Sequence, residues 1–301
     1  MRNFFCIVAA FMRKFLVRLV FVGGFAVLCA LALLAWARFV EPAMLTVTEI
    51  EVPVRQWAGT QMRMRAVALS DLHLGRGKGE EKRLARIVKE VLSLNPDVVF
   101  LLGDYVKGTK KEEMMSPEEI ARGLRPLSAC VPVLGCLGNH DAFGGNHALM
   151  KAFRAQDIHV FRKKVISFGA PRTGAQMQVV VTLDPDSFGA VPDIFPEFEA
   201  QEKMPTVVLT HSPDVYPVLS GKSAVDFTLC GHTHGGQICL PGGFALVSST
   251  RRVGTDFAYG LKDVPGSGLM FVSRGLGTSI LPMRLFCPPE ILVVDFVASK
   301  P

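Results

Sequence analysis

Five short motifs in this chain carry nitrogen and oxygen donors at the ends of apolar runs. They are Asp71-Leu72-His73, Gly103-Asp104, Gly138-Asn139-His140-Asp141, His211 and Gly231-His232-Thr233-His234. Five of the seven histidines lie in them. Imidazole, carboxylate and amide oxygen together suit borderline divalent ions such as Mn²⁺, Fe²⁺ or Zn²⁺. A single tetrahedral zinc needs only four ligands. The surplus points to two ions about 3.5–4 Å apart that share a bridge, and Asp104, a lone carboxylate at a strand end, is the natural bridging candidate. Side-chain direction in an extended segment has period two, so Asp71 and His73 face one side, as do His232 and His234. Two ions held this way lower the pKa of a shared water, which can then act as a hydroxide nucleophile near neutral pH. No Ser or Cys nucleophile is indicated. His147, at a helix start, and His159, in a short strand, read as ordinary structural histidines.

The elements that must position these groups follow from hydrophobic period. Val47–Val54 alternates as a strand. Met64–Leu69 reads as a strand delivering Asp71 and His73, and Asp97–Leu102 as a buried one ending at Gly103-Asp104. Between them Leu84, Ile87, Val88, Val91 and Leu92 have helical spacing, stopped by Asn95-Pro96. Ser116-Pro117-Glu118-Glu119 is a capped helix start. Val131–Leu134 leads into the Gly138 loop, and 148–155 reads as a helix. Strands at 206–210 and 227–229 end at His211 and Gly231. Further strands are expected at 160–168, 177–183, 244–249, 268–273 and 290–296. The pattern predicts an α/β fold of two packed sheets with helices outside. Ligands in such folds gather at the carboxyl ends of strands, where each motif falls.

The chain has 301 residues and a net charge of +6. Residues 1–43 carry Arg2, Arg13, Lys14, Arg18 and Arg38 against Glu41. The rest is close to neutral, so the basic balance points to a membrane surface rather than to nucleic acid. Leu19 to Ala37 is uncharged and just long enough to span a bilayer. We divide the chain into an anchor, 1–43 with its span at about 19–37, and a catalytic domain, 44–301. Ala35-Trp36-Ala37 also resembles a signal-peptidase site, so cleavage competes with retention. Cations before the span favour an external C-terminal domain. The odd set of cysteines beyond it, Cys130, Cys136, Cys230, Cys239 and Cys287, favours a reducing compartment. The two signals for sidedness oppose each other.

The five motifs, in this order from Asp71 to His234, resemble the calcineurin-like metallophosphoesterase superfamily. That resemblance implies a four-layer α/β/β/α sandwich of two mixed sheets, here with an N-terminal transmembrane helix, and a centre of two divalent metal ions, Mn²⁺ first, Fe²⁺ or Zn²⁺ otherwise. It implies that Asp71, His73, Asp104 and His234 bind one ion and Asp104, Asn139, His211 and His232 the other. His140 is then no ligand but faces the scissile phosphate and protonates the leaving oxygen or stabilises charge, with Asp141 as its orienting partner.

Ser70–Gly75, Gly231–Gln237, Ser273–Ser279 and Pro289-Glu290-Ile291 resemble the membrane-associated YkuE/YaeI-type branch. Some of its members are UDP-2,3-diacylglucosamine pyrophosphatases of lipid A synthesis. Another group with that activity carries Arg where this chain has His140. The implied substrate is phosphorylated and lipid-linked, and the implied location is the cytoplasmic membrane. Arg76, in the run Gly75-Arg76-Gly77-Lys78-Gly79, and Arg274 are candidate substrate contacts, with Arg284 beside them. The run is not a P-loop, because Gly-Lys-Ser/Thr is absent. The rival readings are an envelope phosphodiesterase or phosphatase on other esters, and an inactive anchored scaffold.

Overall fold

The structure is a computed structural model that describes residues 2–185, 194–199, 201 and 204–300. It opens with helix α1 (Arg2–Ala35), which widens into a π-turn at Trp36–Val40 and a 3-10 turn at Glu41–Ala43. Pro42 ends helical propagation. From Phe11 onward α1 exposes its apolar side chains, and it is long and apolar enough to cross a membrane.

Two six-stranded mixed sheets follow. The first contains β1 (Thr46–Val54), β2 (Arg63–Leu69), β3 (Val98–Leu101), β4 (Val133–Cys136), β5 (His159–Phe161) and the last strand, β14 (Glu290–Ala298). Its order is β1-β14-β2-β3-β4-β5, with only the β14–β2 pair antiparallel. The second contains β6 (Lys164–Gly169), β7 (Gln176–Val181), β8 (Thr206–Leu209), β9 (Phe227–Cys230), β12 (Gly260–Asp263) and β13 (Leu269–Val272). Its order is β12-β13-β9-β8-β7-β6, parallel except at the two outer pairs. A small hairpin, β10 (Cys239–Leu240) with β11 (Phe244–Ala245), stands apart from both.

Burial explains the strand sequences. β3, β8 and β9 are covered on both faces and are fully buried, as near-continuous apolar runs of parallel strands require. The inner faces meet through Ala66, Phe100, Val179, Val207, Leu229 and Phe296, each contributing its share of a dry inter-sheet core. Helices α2 (Lys78–Ser93), α3 (Pro117–Ser128) and α5 (Asn146–Arg154) cover the outer face of the first sheet through Leu84, Ile87, Leu124, Leu127 and Phe153. A short helix, α4 (Asp141–Gly144), precedes α5. In α3 the Ser116 hydroxyl accepts from Glu119 N at 3.3 Å while Glu119 accepts from Ser116 N at 2.9 Å. Such a cap contributes about 1 kcal/mol. The outer face of the second sheet packs on Val215, Leu219 and Val264.

Two expectations are corrected, and one strand carried no expectation. The run 160–168 is two strands, not one: β5 edges the first sheet and β6 the second, and the chain crosses between them at Arg162-Lys163. No Gly or Pro marks that turn. The run 244–249 pairs only at Phe244-Ala245, while Leu246 and Val247 stand exposed. β12, half-exposed and carrying Lys262 and Asp263, lacked the apolar signal of an inner strand.

Candidate metal centre

Three of the five motifs leave their strands through a backbone turn of one kind. Asp71, His73, Asp104, His232 and His234 all adopt positive φ, between 40° and 69°. That region costs an L-residue about 1–2 kcal/mol, though Asp and His visit it more readily than branched residues. Strained backbone of this kind persists where the surroundings over-determine it. Here Asp71 N donates to Gly103 O (3.0 Å), His73 N to Asp104 O (3.0 Å) and Gly231 N to His211 O (2.8 Å), so the loops zip together pairwise. Gly138 and Gly231 permit that approach. A Cβ at Gly138 would strike the Asp104 carboxylate and the His211 ring, and one at Gly231 would strike Ser70 and Asp71.

The result is two buried clusters of metal-ligating groups: Asp71, His73 and His234, and Asp104, His211 and His232. In the first, Asp71 Oδ2 accepts from Ser70 Oγ (2.5 Å) and His232 N (3.0 Å). Its Oδ1 is buried without a hydrogen-bond donor among the described residues and faces His234 Nε2 at 3.5 Å and His73 Nε2 at 3.9 Å. His73 Nδ1 lies 3.1 Å from the Val106 carbonyl. The proton therefore belongs on Nδ1, and the Nε2 lone pair is directed into the cluster.

The second cluster repeats this logic. His211 Nδ1 meets the Leu102 carbonyl at 2.8 Å, which leaves Nε2 as an acceptor. That Nε2 faces three more lone-pair atoms: Asn139 Oδ1 at 3.1 Å, His232 Nδ1 at 3.2 Å and Asp104 Oδ2 at 3.3 Å. Asp104 Oδ2 also lies 3.5 Å from His73 Nε2, while Oδ1 accepts from His140 N at 2.8 Å. One oxygen of Asp104 thus stands between the clusters. Converging lone pairs repel unless a cation lies among them, so the donor set fits two divalent ions.

The electrostatics agree. Burial pushes the Asp104 carboxyl up, yet His211, His73 and His140 hold it well below the ordinary carboxylate range. Burial likewise opposes ionisation of Asp71, and His234 and His211 outweigh it. Burial lowers His234 to about 3, keeping it neutral as a ligand must be. For His211, burial lowers the pKa but Asp104 beside it wins and raises it well above the usual value. A proton or a divalent cation on that Nε2 relieves the same negative charge.

His140 is set apart from both clusters. Its Nδ1 meets the Gly108 carbonyl at 3.2 Å, and its ring packs edge-on against His73 with centroids 4.9 Å apart. Asp141 does not orient that ring. Its carboxylate accepts from Gly138 N (2.8 Å), Tyr105 N (2.8 Å) and Asp104 N (3.0 Å), tying together the two loops that carry Asp104 and Asn139. The side chain at the start of α4 points inward to those donors. Burial and the neighbouring Asp104 raise it to about 7, against the pull of the Gly138 and Tyr105 N–H groups and of His211.

Arg76 stands exposed where the chain enters α2. Arg274, expected to contact substrate, is instead bound to Glu290 (Nη2 to Oε2, 2.9 Å) and lies over the Tyr259 ring. His147 and His159 lie away from the clusters in α5 and β5, and His159 pairs with Asp157. Arg284 is wholly buried and reaches no surface. It donates to the carbonyls of Gly277, Arg274 and Cys287 at 2.7–3.0 Å, and its Nη2 lies 3.4 Å from His234 Nδ1. The 273–279 tail entered the sequence reading as a segment resembling the membrane-associated branch, with Arg274 as a candidate substrate contact. Its glycines let it pass under Asp71: Leu276 N donates to Ser70 O and Gly277 N to Asp71 O. The signal was present in the two glycines, but their partner was 200 residues away.

Comparison with known proteins matches this geometry. The profile of calcineurin-like phosphoesterases fits residues 64–236, which include all five motifs. The chain is 32% identical to phosphodiesterase YaeI of Escherichia coli (strain K12), over 67% of this chain and 71% of that protein. It is 28% identical to the uncharacterized metallophosphoesterase YkuE of Bacillus subtilis (strain 168), over 96% and 100%. It is 26% identical to UDP-2,3-diacylglucosamine pyrophosphatase LpxG of Chlamydia muridarum, over 86% and 91%. The chain belongs to the calcineurin-like phosphoesterase family, in its membrane-associated branch. It is a metal-dependent phosphoester hydrolase with a dinuclear centre.

Proposed function

We propose that this chain is a single-pass protein of the cytoplasmic membrane that hydrolyses the pyrophosphate of UDP-2,3-diacylglucosamine with two Mn²⁺ ions. The observation that carries the reading is the joining of a two-cluster cage to an apolar helix by a connector of only a few residues. Phosphorus chemistry is thereby held at a membrane surface, where a nucleotide head and an acyl tail meet. Similarity to LpxG supports the substrate, and Mn²⁺ suits the mixed imidazole, carboxylate and amide donors.

Asp71, His73, Asp104 and His234 would hold one ion, and Asp104, Asn139, His211 and His232 the other. When bound, the pair supplies Lewis acidity toward phosphate and makes a water acidic enough to act as nucleophile near neutral pH. Asp104 keeps the two sites in register through one shared oxygen. His140, its Nδ1–H held by the Gly108 carbonyl, presents Nε2 to the leaving oxygen and would donate a proton there in its imidazolium form. Asp141 keeps both loops fixed, so the donors need no rearrangement during reaction. Exposed Arg76 is available to a substrate phosphate. Water adds across the P–O–P bond, giving UMP and 2,3-diacylglucosamine 1-phosphate.

The test compares UDP-2,3-diacylglucosamine with bis(4-nitrophenyl) phosphate, using the purified full chain in detergent with Mn²⁺. A much larger kcat/KM for the UDP-lipid is expected. Hydrolysis of the simple diester alone would sink the substrate while leaving the hydrolase. A second reading, an envelope phosphodiesterase or phosphatase on other esters, is favoured by the cations before the span, a signal for an external catalytic domain that the odd cysteine set opposes.

A further inference from the structure

The anchor does not leave the domain on a free tether. Arg284 N donates to Ala37 O (2.9 Å), buried Glu41 accepts from Cys287 N (2.5 Å) and Trp36 Nε1 (3.0 Å), and Arg86 donates to Ala43 O (2.6 Å). The end of α1 is therefore docked on the protein surface beside it. Between them lies a cavity of about 600 Å³ whose walls include Leu33 and Trp36 of the anchor, Gly242 and Gly243 of the hairpin turn, and Phe286. Leu33 lies four residues before Ala37, about 6 Å along the helix axis. The hairpin turn consequently reaches the level of the last turn of the span.

That edge of the domain is apolar and uncharged. No charged residue occurs between His234 and Arg251, and none between Arg274 and Arg284. Phe244 is 70% exposed, Val247 71% and Ile280 100%, with Leu240, Leu246 and Leu281 also exposed around them. Ile280 has a φ of 60°, a region that branched side chains rarely enter, and the turn holds it outward. Gln237 donates to the carbonyls of Ser279 and Leu281, and Ile238 bridges Leu285, so the hairpin and the 280–286 loop form one surface. Monomeric soluble proteins seldom expose a contiguous patch of this kind.

We propose that the β10–β11 hairpin and the 280–286 loop form a second membrane contact, lying in the interfacial layer beside α1. The inference rests on the anchor reading above. Its occupant is lipid because the patch is continuous with the apolar helix and level with its final turn. With two contacts, the domain cannot swivel about the anchor, and the metal centre keeps one height and one orientation over the bilayer. The expected strand at 244–249 fails for the same reason: its apolar residues face lipid, not the core.

The test is photolabelling of the full chain in phosphatidylethanolamine/phosphatidylglycerol vesicles that contain a diazirine-acyl phospholipid, with adducts mapped by mass spectrometry. Adducts in both α1 and residues 240–247 or 280–286 are expected. Adducts in α1 alone would overturn the second contact and leave the anchor standing, and a dimer cross-linked through the hairpin would assign the patch to a second copy instead. Absence of adducts from α1 would remove the anchor reading and this one with it. In the double variant Phe244→Asp, Val247→Asp, hairpin adducts should fall at least about fivefold. Labelling of α1 and hydrolysis of bis(4-nitrophenyl) phosphate should stay unchanged. Undiminished hairpin adducts in that variant would contradict insertion.

Discussion

The two metal clusters use the same side-chain chemistry but are held by different parts of the chain. The cluster of Asp104, His211 and His232 is braced from within the two sheets. Leu102 fixes the tautomer of His211, and Asp141 binds the Asp104 and Gly138 loops through three backbone N–H groups. The cluster of Asp71, His73 and His234 leans on the C-terminal tail. Leu276 and Gly277 donate to the Ser70-Asp71 backbone, and buried Arg284 lies against His234. Arg284 also donates from its backbone to Ala37, where the anchor ends. One cluster is therefore braced mainly by the sheets and the loops that leave them. The other is linked to the anchor junction through Arg284, whose charge is met by carbonyl dipoles, and through Cys287, which joins His234 O to Glu41.

Removing the link between the clusters should have the largest effect. Asp104→Asn takes a charge from the shared oxygen, so both ions should be lost and diester hydrolysis should fall to background. Metal analysis alongside the assay checks this, and retention of both ions would deny Asp104 the bridge. His140→Ala should spare both clusters: metal content stays at the wild-type level while kcat falls about 10²–10⁴-fold. Loss of metal would make His140 a ligand; full activity would remove it from the reaction.

The two braces can then be broken separately. Arg284→Met should weaken binding of one ion about 10–100-fold, the usual effect of losing a group behind a ligand, and leave the other unchanged. Asp141→Ala should do the reverse. It also leaves three buried donors unsatisfied, at about 1–3 kcal/mol each, so its Tm should drop as well. Two-step metal titrations by calorimetry read both variants. If each weakened both ions equally, the separate bracing would be wrong.

The smallest effect is in pH. His211 must lose a proton before Nε2 can bind an ion, and Asp104 raises its pKa well above the usual value. His234, held near 3 by burial, and His73, also lowered by burial, are already neutral. Metal affinity should fall as pH is lowered, with the His211 cluster losing its ion at the higher pH. Loss of both ions at one pH would show that the clusters titrate as a unit.

Much of the site was legible because its determinants are local. A glycine before a turn and an apolar run feeding each motif are short-range features, whereas the extended alternation expected at Asp71–His73 and His232–His234 is replaced by positive-φ turns. The chain could not have placed Asp71 and His73 far from a strand end. The roles of Arg274 and Arg284 were not separable in the sequence, where the two look alike. One is paired to Glu290 at the rim and the other is enclosed by carbonyls, and only packing distinguishes them.

The residue order by itself determined the donor-bearing motifs, the α/β class and the apolar N-terminal helix, since these follow from residue type and periodicity. Residue type and periodicity left open how the donors converge, and the tertiary structure decided it: His73 Nε2 meets His234 Nε2 at 3.1 Å across 161 positions. It alone showed that Asp141 braces two loops rather than a ring. It alone split 160–168 between two sheets and left Phe244, Leu246 and Val247 on the outside. Each of these turns on contacts between distant segments, which no local pattern encodes.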